Sequence, residues 1–135
     1  MDLTGQRIVV TGGAGLVGSH LAGRLSGDND VVVADDLSKG SHDRVPGGVT
    51  FVQADLTDAG DVADVITADV DAVFHLAAYT DTNFAEPRRL FEENTEMTYN
   101  VLERMADVGV EHVAFTSSST VYGEAPRPTP EDFAP

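Results

Sequence analysis

Five short apolar runs, rich in valine and separated by helix-like or loop-like stretches, constrain the fold more than any other feature of the chain. They are RIVVT (7–11), DVVVA (30–34), VTFVQ (49–53), DAVFHL (71–76) and HVAFTS (112–117). Their near-continuous β-branched character suits strands buried on both faces, as in a parallel sheet. Between the first two, GLVGSHLAGRL sets Leu16, Val17, Leu21 and Leu25 at helical spacing. Between the third and fourth, DAGDVADVI opens on Asp58 and carries Val62, Val65 and Ile66 on one face.

The fourth connection is the longest. It starts at Pro87, where proline suits a first helical turn, and Gly109 is its natural stop. Leu90, Phe91, Met97, Val101, Leu102 and Met105 form its apolar stripe, so a helix is expected over 87–108. Residues 35–48 lack periodicity and read as a loop. Alternating strands and helices imply right-handed crossovers and an α/β, doubly wound parallel sheet of strand order 3-2-1-4-5. Ligands in such a sheet gather at the carboxyl ends of the strands, near the switch point beside the first.

A length of 135 residues predicts one domain, 1–135, with a real core. No apolar run approaches the ~20 residues that span a bilayer, and MDLTGQRIVV lacks the pattern of a signal peptide. A cytoplasmic protein is expected. The absence of cysteine excludes disulfides and thiolate chemistry, and no His/Asp/Glu spacing suggests a metal. His20, His75 and His112 read as structural, His75 as a packed core residue.

The charge is unusual. Twenty-three acids face eight bases, for a net −15, and Lys39 is the one lysine. The acids are spread along the chain and should repel nucleic acid and anionic lipid. Adaptation to high salt, where screening removes self-repulsion, is favoured over a docking face for a basic partner. A halophilic origin is the expectation.

After the first strand comes TGGAGLVGSH, where Gly13, Gly15 and Gly18 give G-x-G-x-x-G and Gly12, Gly15 and Gly18 give G-x-x-G-x-x-G. Either spacing makes a tight turn, lets a pyrophosphate approach the backbone, and points it at the partial positive charge of a helix N-terminus. The second strand runs into Asp35 and Asp36, where a carboxylate can accept from both hydroxyls of an adenosine ribose. Taken singly, the loop is no more than a glycine-rich turn and the acid no more than a solvated one. Together, at this distance, they point to a dinucleotide. Two carboxylates would repel a 2′-phosphate, which favours NAD over NADP, with Lys39 and Arg44 as counterweights.

With these residues in place, the chain resembles the extended short-chain dehydrogenase/reductase family, in its sugar-nucleotide epimerase and dehydratase branch, from residue 7 onward. TGGAGLVGSHL is similar to that family's cofactor loop, which implies contacts at Gly12, Gly15, Leu16 and Val17. DDLSKG resembles its ribose loop and implicates Asp35, Asp36, Leu37, Ser38, Lys39 and Gly40. ADLTD resembles the adenine segment, with Asp55 at the amino group and Leu56 along the ring. FHLAA resembles the fourth-strand motif, with Leu76, Ala77 and Ala78 beside the dinucleotide. ENTEMTYNVLE resembles the helix that turns an asparagine, here Asn94, inward; a backbone carbonyl is its plain alternative partner.

FTSSSTVYG (115–123) closes the set. The resemblance places Ser118 at the reacting sugar hydroxyl and Ser117 on the cofactor side. Ser119 and Thr120 are candidates for substrate contact, or for satisfying the loop's own backbone. The implied activity is that of a UDP-sugar 4-epimerase; a dehydratase or decarboxylase of the family is the alternative. An acid in place of Ser119 or Thr120 would have suited dehydration, and neither is acidic. The family's base is a tyrosine with a lysine four residues on, which makes the phenolate usable near neutral pH. Here Tyr79 is followed by Asn83, Tyr99 by Glu103 and Tyr122 by Pro126 at that spacing. The chain therefore reads as the front part of such an enzyme, cut before the base and the sugar-binding domain and inactive alone. A non-catalytic dinucleotide-binding module is the other reading. Similar enzymes pair through the counterpart of the helix at 87–108, so a homodimer through it is a further expectation, with a stripe that faces only its own sheet as the alternative.

Overall fold

A computed structural model describes residues 3–80, 85–124 and 126–133, without the side chains of 119 and 120. Five strands form one parallel sheet: β1 (Arg7–Thr11), β2 (Asp30–Asp35), β3 (Thr50–Gln53), β4 (Ala72–His75) and β5 (His112–Phe115). Their order is β3-β2-β1-β4-β5, the doubly wound α/β arrangement of Rossmann type that the sequence predicts. Helices α1 (Leu16–Leu25), α2 (Ala59–Val65) and α3 (Pro87–Val108) make three of the four crossovers, and a loop joins β2 to β3.

Alternation along the strands sends side chains to two cores. Val9, Val32, Ala34 and Val73 face Val62, Val65 and Ile66 of the α2 region and Val101 and Met105 of α3. Ile8, Val10, Val31 and Val33 face the other way, onto Ala22 of α1 with Leu25 and Phe74 beside it. Each fully buried side chain of this size is worth about 1.5–3 kcal/mol, so the three central strands carry the fold. The helix ends follow their sequence signals. Asp58 caps α2, its Oδ1 accepting from the backbone N–H groups of Gly60 (2.7 Å) and Asp61 (3.3 Å). Pro87 opens α3 and Gly109 closes it in the left-handed conformation.

Several expectations need correction. β4 and β5 end at His75 and Phe115, one and two residues short of the expected Leu76 and Ser117; after β4 the Leu76 and Ala77 N–H groups turn to the Thr11 hydroxyl. β2 instead runs one residue further, to Asp35, and the 35–48 loop contains a 3-10 turn at His42–Arg44. β5 is not buried on both faces: it is an edge strand, exposed throughout, with Phe115 at 61%. In α1, Leu16 and Val17 are 67% and 65% exposed, since the helix meets the sheet through Gly18, Ser19 and Ala22. In α3, Phe91 and Leu102 leave the apolar stripe for solvent. Among the described residues, no helix is long and apolar enough to cross a membrane.

Candidate functional site

The parallel register lines up the carboxyl ends of the strands. Val52, Ala34, Thr11, His75 and Phe115 form one row across the sheet. Just past that row a cleft opens beside β1. Gly12 lies at its base, and Asp35, Asp36, Ser38, Lys39 and Gly40 bound one side. Asp55 and Leu56 follow β3, and Leu76, Ala77 and Ala78 follow β4 on the opposite side. Segments far apart in sequence thus converge where the motifs anticipate. Tyr79 and Met97 also line the cleft and escaped sequence reasoning. Tyr79 could have been found as the residue after the two alanines, and Met97 as the member of the α3 stripe one turn beyond Asn94.

The glycine loop separates two kinds of constraint. Gly12 has φ +66°, and a Cβ there would stand 2.8 Å from the Ala77 nitrogen. A Cβ on Gly18 would stand 2.2 Å from the Gly12 carbonyl oxygen. The protein's own packing therefore demands glycine at both positions. Gly15 differs: its φ is an ordinary −77°, and the one protein atom near a Cβ is the Gly12 carbonyl oxygen at 3.1 Å. The first α1 bond runs from the Ser19 N–H to the Gly15 carbonyl at 3.1 Å. The amides of Leu16, Val17 and Gly18 thus have no earlier helical carbonyl to meet. An anion approaching the loop finds these donors and a backbone with no Cβ in the way.

Asp35 ties the loops together. It is only 8% exposed, and its Oδ2 accepts from the Ala14 N–H at 3.0 Å while Oδ1 accepts from the Leu37 N–H at 2.9 Å. The second bond supports Leu37 in the left-handed region, at φ +63°, which is strained for a side chain of its shape. Each carboxylate oxygen has two acceptor sites, so capacity remains for a ligand hydroxyl. Asp36 is exposed, and its Oδ1 accepts from both the N–H and the hydroxyl of Ser38. Asp55 accepts likewise from the Thr57 N–H and hydroxyl.

α3 braces both walls. The buried Asn100, which sequence reasoning missed, donates to the Leu56 and Thr57 carbonyls, each at 3.0 Å. Asn94 accepts from the Tyr79 N–H at 2.8 Å and donates to the Tyr79 carbonyl at 3.0 Å, so backbone groups do partner it. His75 is 2% exposed, with Nδ1 2.8 Å from the Thr11 hydroxyl and its ring stacked on Phe115. Burial holds the imidazole down to about pKa 4, so it is neutral at pH 7. That is the packed histidine the sequence implied.

The serine cluster lies at the same edge. The Thr116 N–H donates to the His75 carbonyl at 3.4 Å, which carries Ser117 and Ser118 past the end of β4. Both serines are exposed, and neither belongs to the cleft lining. A 3-10 turn spans Ser119–Tyr122; the side chains of Ser119 and Thr120 lie outside the described residues. Lys39, the chain's one lysine, has an aspartate four positions before it, so no tyrosine–lysine pair of the required spacing exists in these 135 residues.

Comparison with known proteins agrees with this geometry. The model of the NAD dependent epimerase/dehydratase family matches residues 8–135. A UDP-glucose 4-epimerase of Streptococcus mutans is 38% identical over 122 residues, 86% of this chain and 37% of that protein. A crystal structure of a UDP-galactose 4-epimerase superimposes with a TM-score of 0.83 at 45% identity, over 95% of this chain and 44% of the other. The Thermus thermophilus UDP-glucose 4-epimerase, solved as a complex with NAD, gives 0.81 at 34% identity, over 96% and 44%. The chain thus spans less than half the length of these relatives.

Proposed function

The chain belongs to the NAD dependent epimerase/dehydratase family, and from that premise we propose that it forms the NAD-binding region of a nucleotide-sugar 4-epimerase acting on a UDP-sugar such as UDP-glucose. The observation that carries the reading is Gly15: set at a helix N-terminus, with an ordinary φ and one 3.1 Å contact for a Cβ, it is constrained by the protein's own packing far less than Gly12 or Gly18. Its loop is tied through the Ala14 N–H to the buried Asp35.

The roles follow from chemistry. The amides of Leu16 and Val17 receive the pyrophosphate, and Asp35 takes the adenosine ribose hydroxyls with Asp36 to Gly40 closing around them. The carboxylates of Asp35 and Asp36 disfavour a 2′-phosphate, hence NAD over NADP. Asp55 and Leu56 meet the adenine, Leu76 to Ala78 leave room for a flat dinucleotide, and Asn94 and Ser117 complete the cofactor side. Bound NAD supplies a reversible hydride acceptor. The Ser118 hydroxyl both donates and accepts, which suits it to hold the sugar C4 oxygen as that oxygen loses and regains its proton. Ser119 and Thr120 are the further candidates for substrate contact.

Moving that proton needs a base near its working pH, and no Tyr-x-x-x-Lys pair is present to serve. These 135 residues are therefore expected to bind cofactor and to leave UDP-glucose unconverted. Incubation with NAD and UDP-glucose, followed by chromatographic assay for UDP-galactose, checks this; product above background would show that the missing pair is not needed.

Two further parts of the proposal rest on the surface. A second copy is expected to pair through α3, where Phe91, Tyr99 and Leu102 expose apolar surface along one face. A cytoplasm of high salt is the expected setting. Its support is the excess of 23 acids over 8 bases, with the described ion pairs all at the surface, where such pairs are worth little. Raising KCl from low to molar concentration should raise the thermal midpoint by screening self-repulsion. A midpoint independent of salt would contradict the halophilic reading.

A further inference from the structure

We propose that His75 is a positioning residue: held as the neutral tautomer protonated on Nε2, it fixes the Thr11 hydroxyl and through it the backbone of Ala77, the β4 wall of the cleft. Its consequence for cofactor binding rests on the NAD reading above.

The tautomer follows from counting donors. The Thr11 Oγ1 accepts from the Leu76 and Ala77 N–H groups, each at 3.2 Å. A hydroxyl has one proton and two acceptor sites. With both sites occupied, its proton is committed to His75 Nδ1 at 2.8 Å, so Nδ1 accepts and the ring proton sits on Nε2. On the far side, Nε2 lies 3.3 Å from the Thr98 hydroxyl, which donates to the Asn94 carbonyl at 2.8 Å. Every link then points the same way, from the amides after β4 to the carbonyl of Asn94, whose side chain grips Tyr79 on the same wall.

Ala77 is the link most exposed to failure. Leu76 has a second acceptor, the Thr11 carbonyl at 3.3 Å, whereas the hydroxyl is the acceptor that holds Ala77. The space is also tight, since a Cβ on Gly12 would already stand 2.8 Å from the Ala77 nitrogen. The groups facing the ring are Thr11 from β1, Phe115 from β5 and Thr98 from α3, none of them titratable, and burial alone sets its titration. A proton on Nδ1 would meet the Thr11 proton head-on. The hydroxyl would then have to rotate and surrender an acceptor site.

The test combines wild type with two variants. Nitrogen-15 NMR of histidine-labelled protein at pH 7 should report the tautomer protonated on Nε2. His75→Asn keeps an acceptor near the Nδ1 position, whereas His75→Leu removes it. The Ala77 amide should exchange with solvent at least tenfold faster in His75→Leu than in wild type. His75→Asn should restore slow exchange, while core amides such as Val9 stay protected in all three. NAD affinity should fall and recover in the same order. An Nδ1-protonated ring, or Ala77 exchange indifferent to His75→Leu, would overturn the proposal. Should His75→Leu fail to fold, the tautomer in wild type and exchange in His75→Asn still decide. If the tautomer and exchange results hold while no form binds NAD, the cofactor reading fails and the positioning role stands.

Discussion

Gly15→Val should leave the fold intact and weaken NAD binding by on the order of 100-fold, about 2.7 kcal/mol. The two halves of that expectation have separate causes. For the fold, φ −77° and ψ 177° suit valine, and the new Cβ meets one atom, the Gly12 carbonyl oxygen at 3.1 Å, which has to give by only a few tenths of an ångström. The change at this N-cap position should cost about 1–2 kcal/mol. For the ligand, the isopropyl group adds bulk at the residue immediately before the amides of Leu16 and Val17, where the pyrophosphate is proposed to sit. Circular dichroism and denaturant titration check the first half, and calorimetry the second.

Gly18→Ala, a smaller change three residues away, should instead act on the fold itself. Its methyl carbon would stand 2.2 Å from the Gly12 oxygen and 2.7 Å from the Gly13 Cα, both backbone atoms that cannot swing aside. To relieve the contact, α1 must withdraw from the loop, uncovering Ala22 and the valines beneath it. Destabilisation of ~3 kcal/mol, the upper end of overpacking costs, is expected, a large share of a domain's marginal stability. Urea unfolding measures it, and a midpoint equal to wild type would refute the close approach. Different outcomes at two glycines of one motif would separate the residue kept for the ligand from the residue kept for the chain.

That distinction was not legible in the sequence, where both glycines simply match the spacing. The sheet was legible, because five valine-rich runs alternating with helical patterns admit few topologies and the crossover rule selects one. So were Asp58 as a cap and the convergence of Asp35, Asp55 and Ala77 on one cleft, since strand order brings their loops together. What periodicity could not supply was the width of the buried face. Phe91 and Leu102 lie roughly 80–100° around α3 from Val101, by the pitch of the helix, which is enough to carry them into solvent. Nor could it show partners across strands. Thr11 and His75 sit 64 residues apart, and only the register between β1 and β4 sets them side by side. Asn100 was missed for the same reason, its carbonyl partners being 43 and 44 residues away.

The central claim, that these residues build an NAD site, is tested most directly by calorimetric titration of the chain with NAD and with NADP, at the salt concentration that keeps it folded. Saturable one-to-one binding of NAD, much weaker binding of NADP, and loss of the NAD signal in Gly15→Val are the predicted results. A folded chain that takes up no NAD, or binds it as well with valine at position 15, would contradict the account.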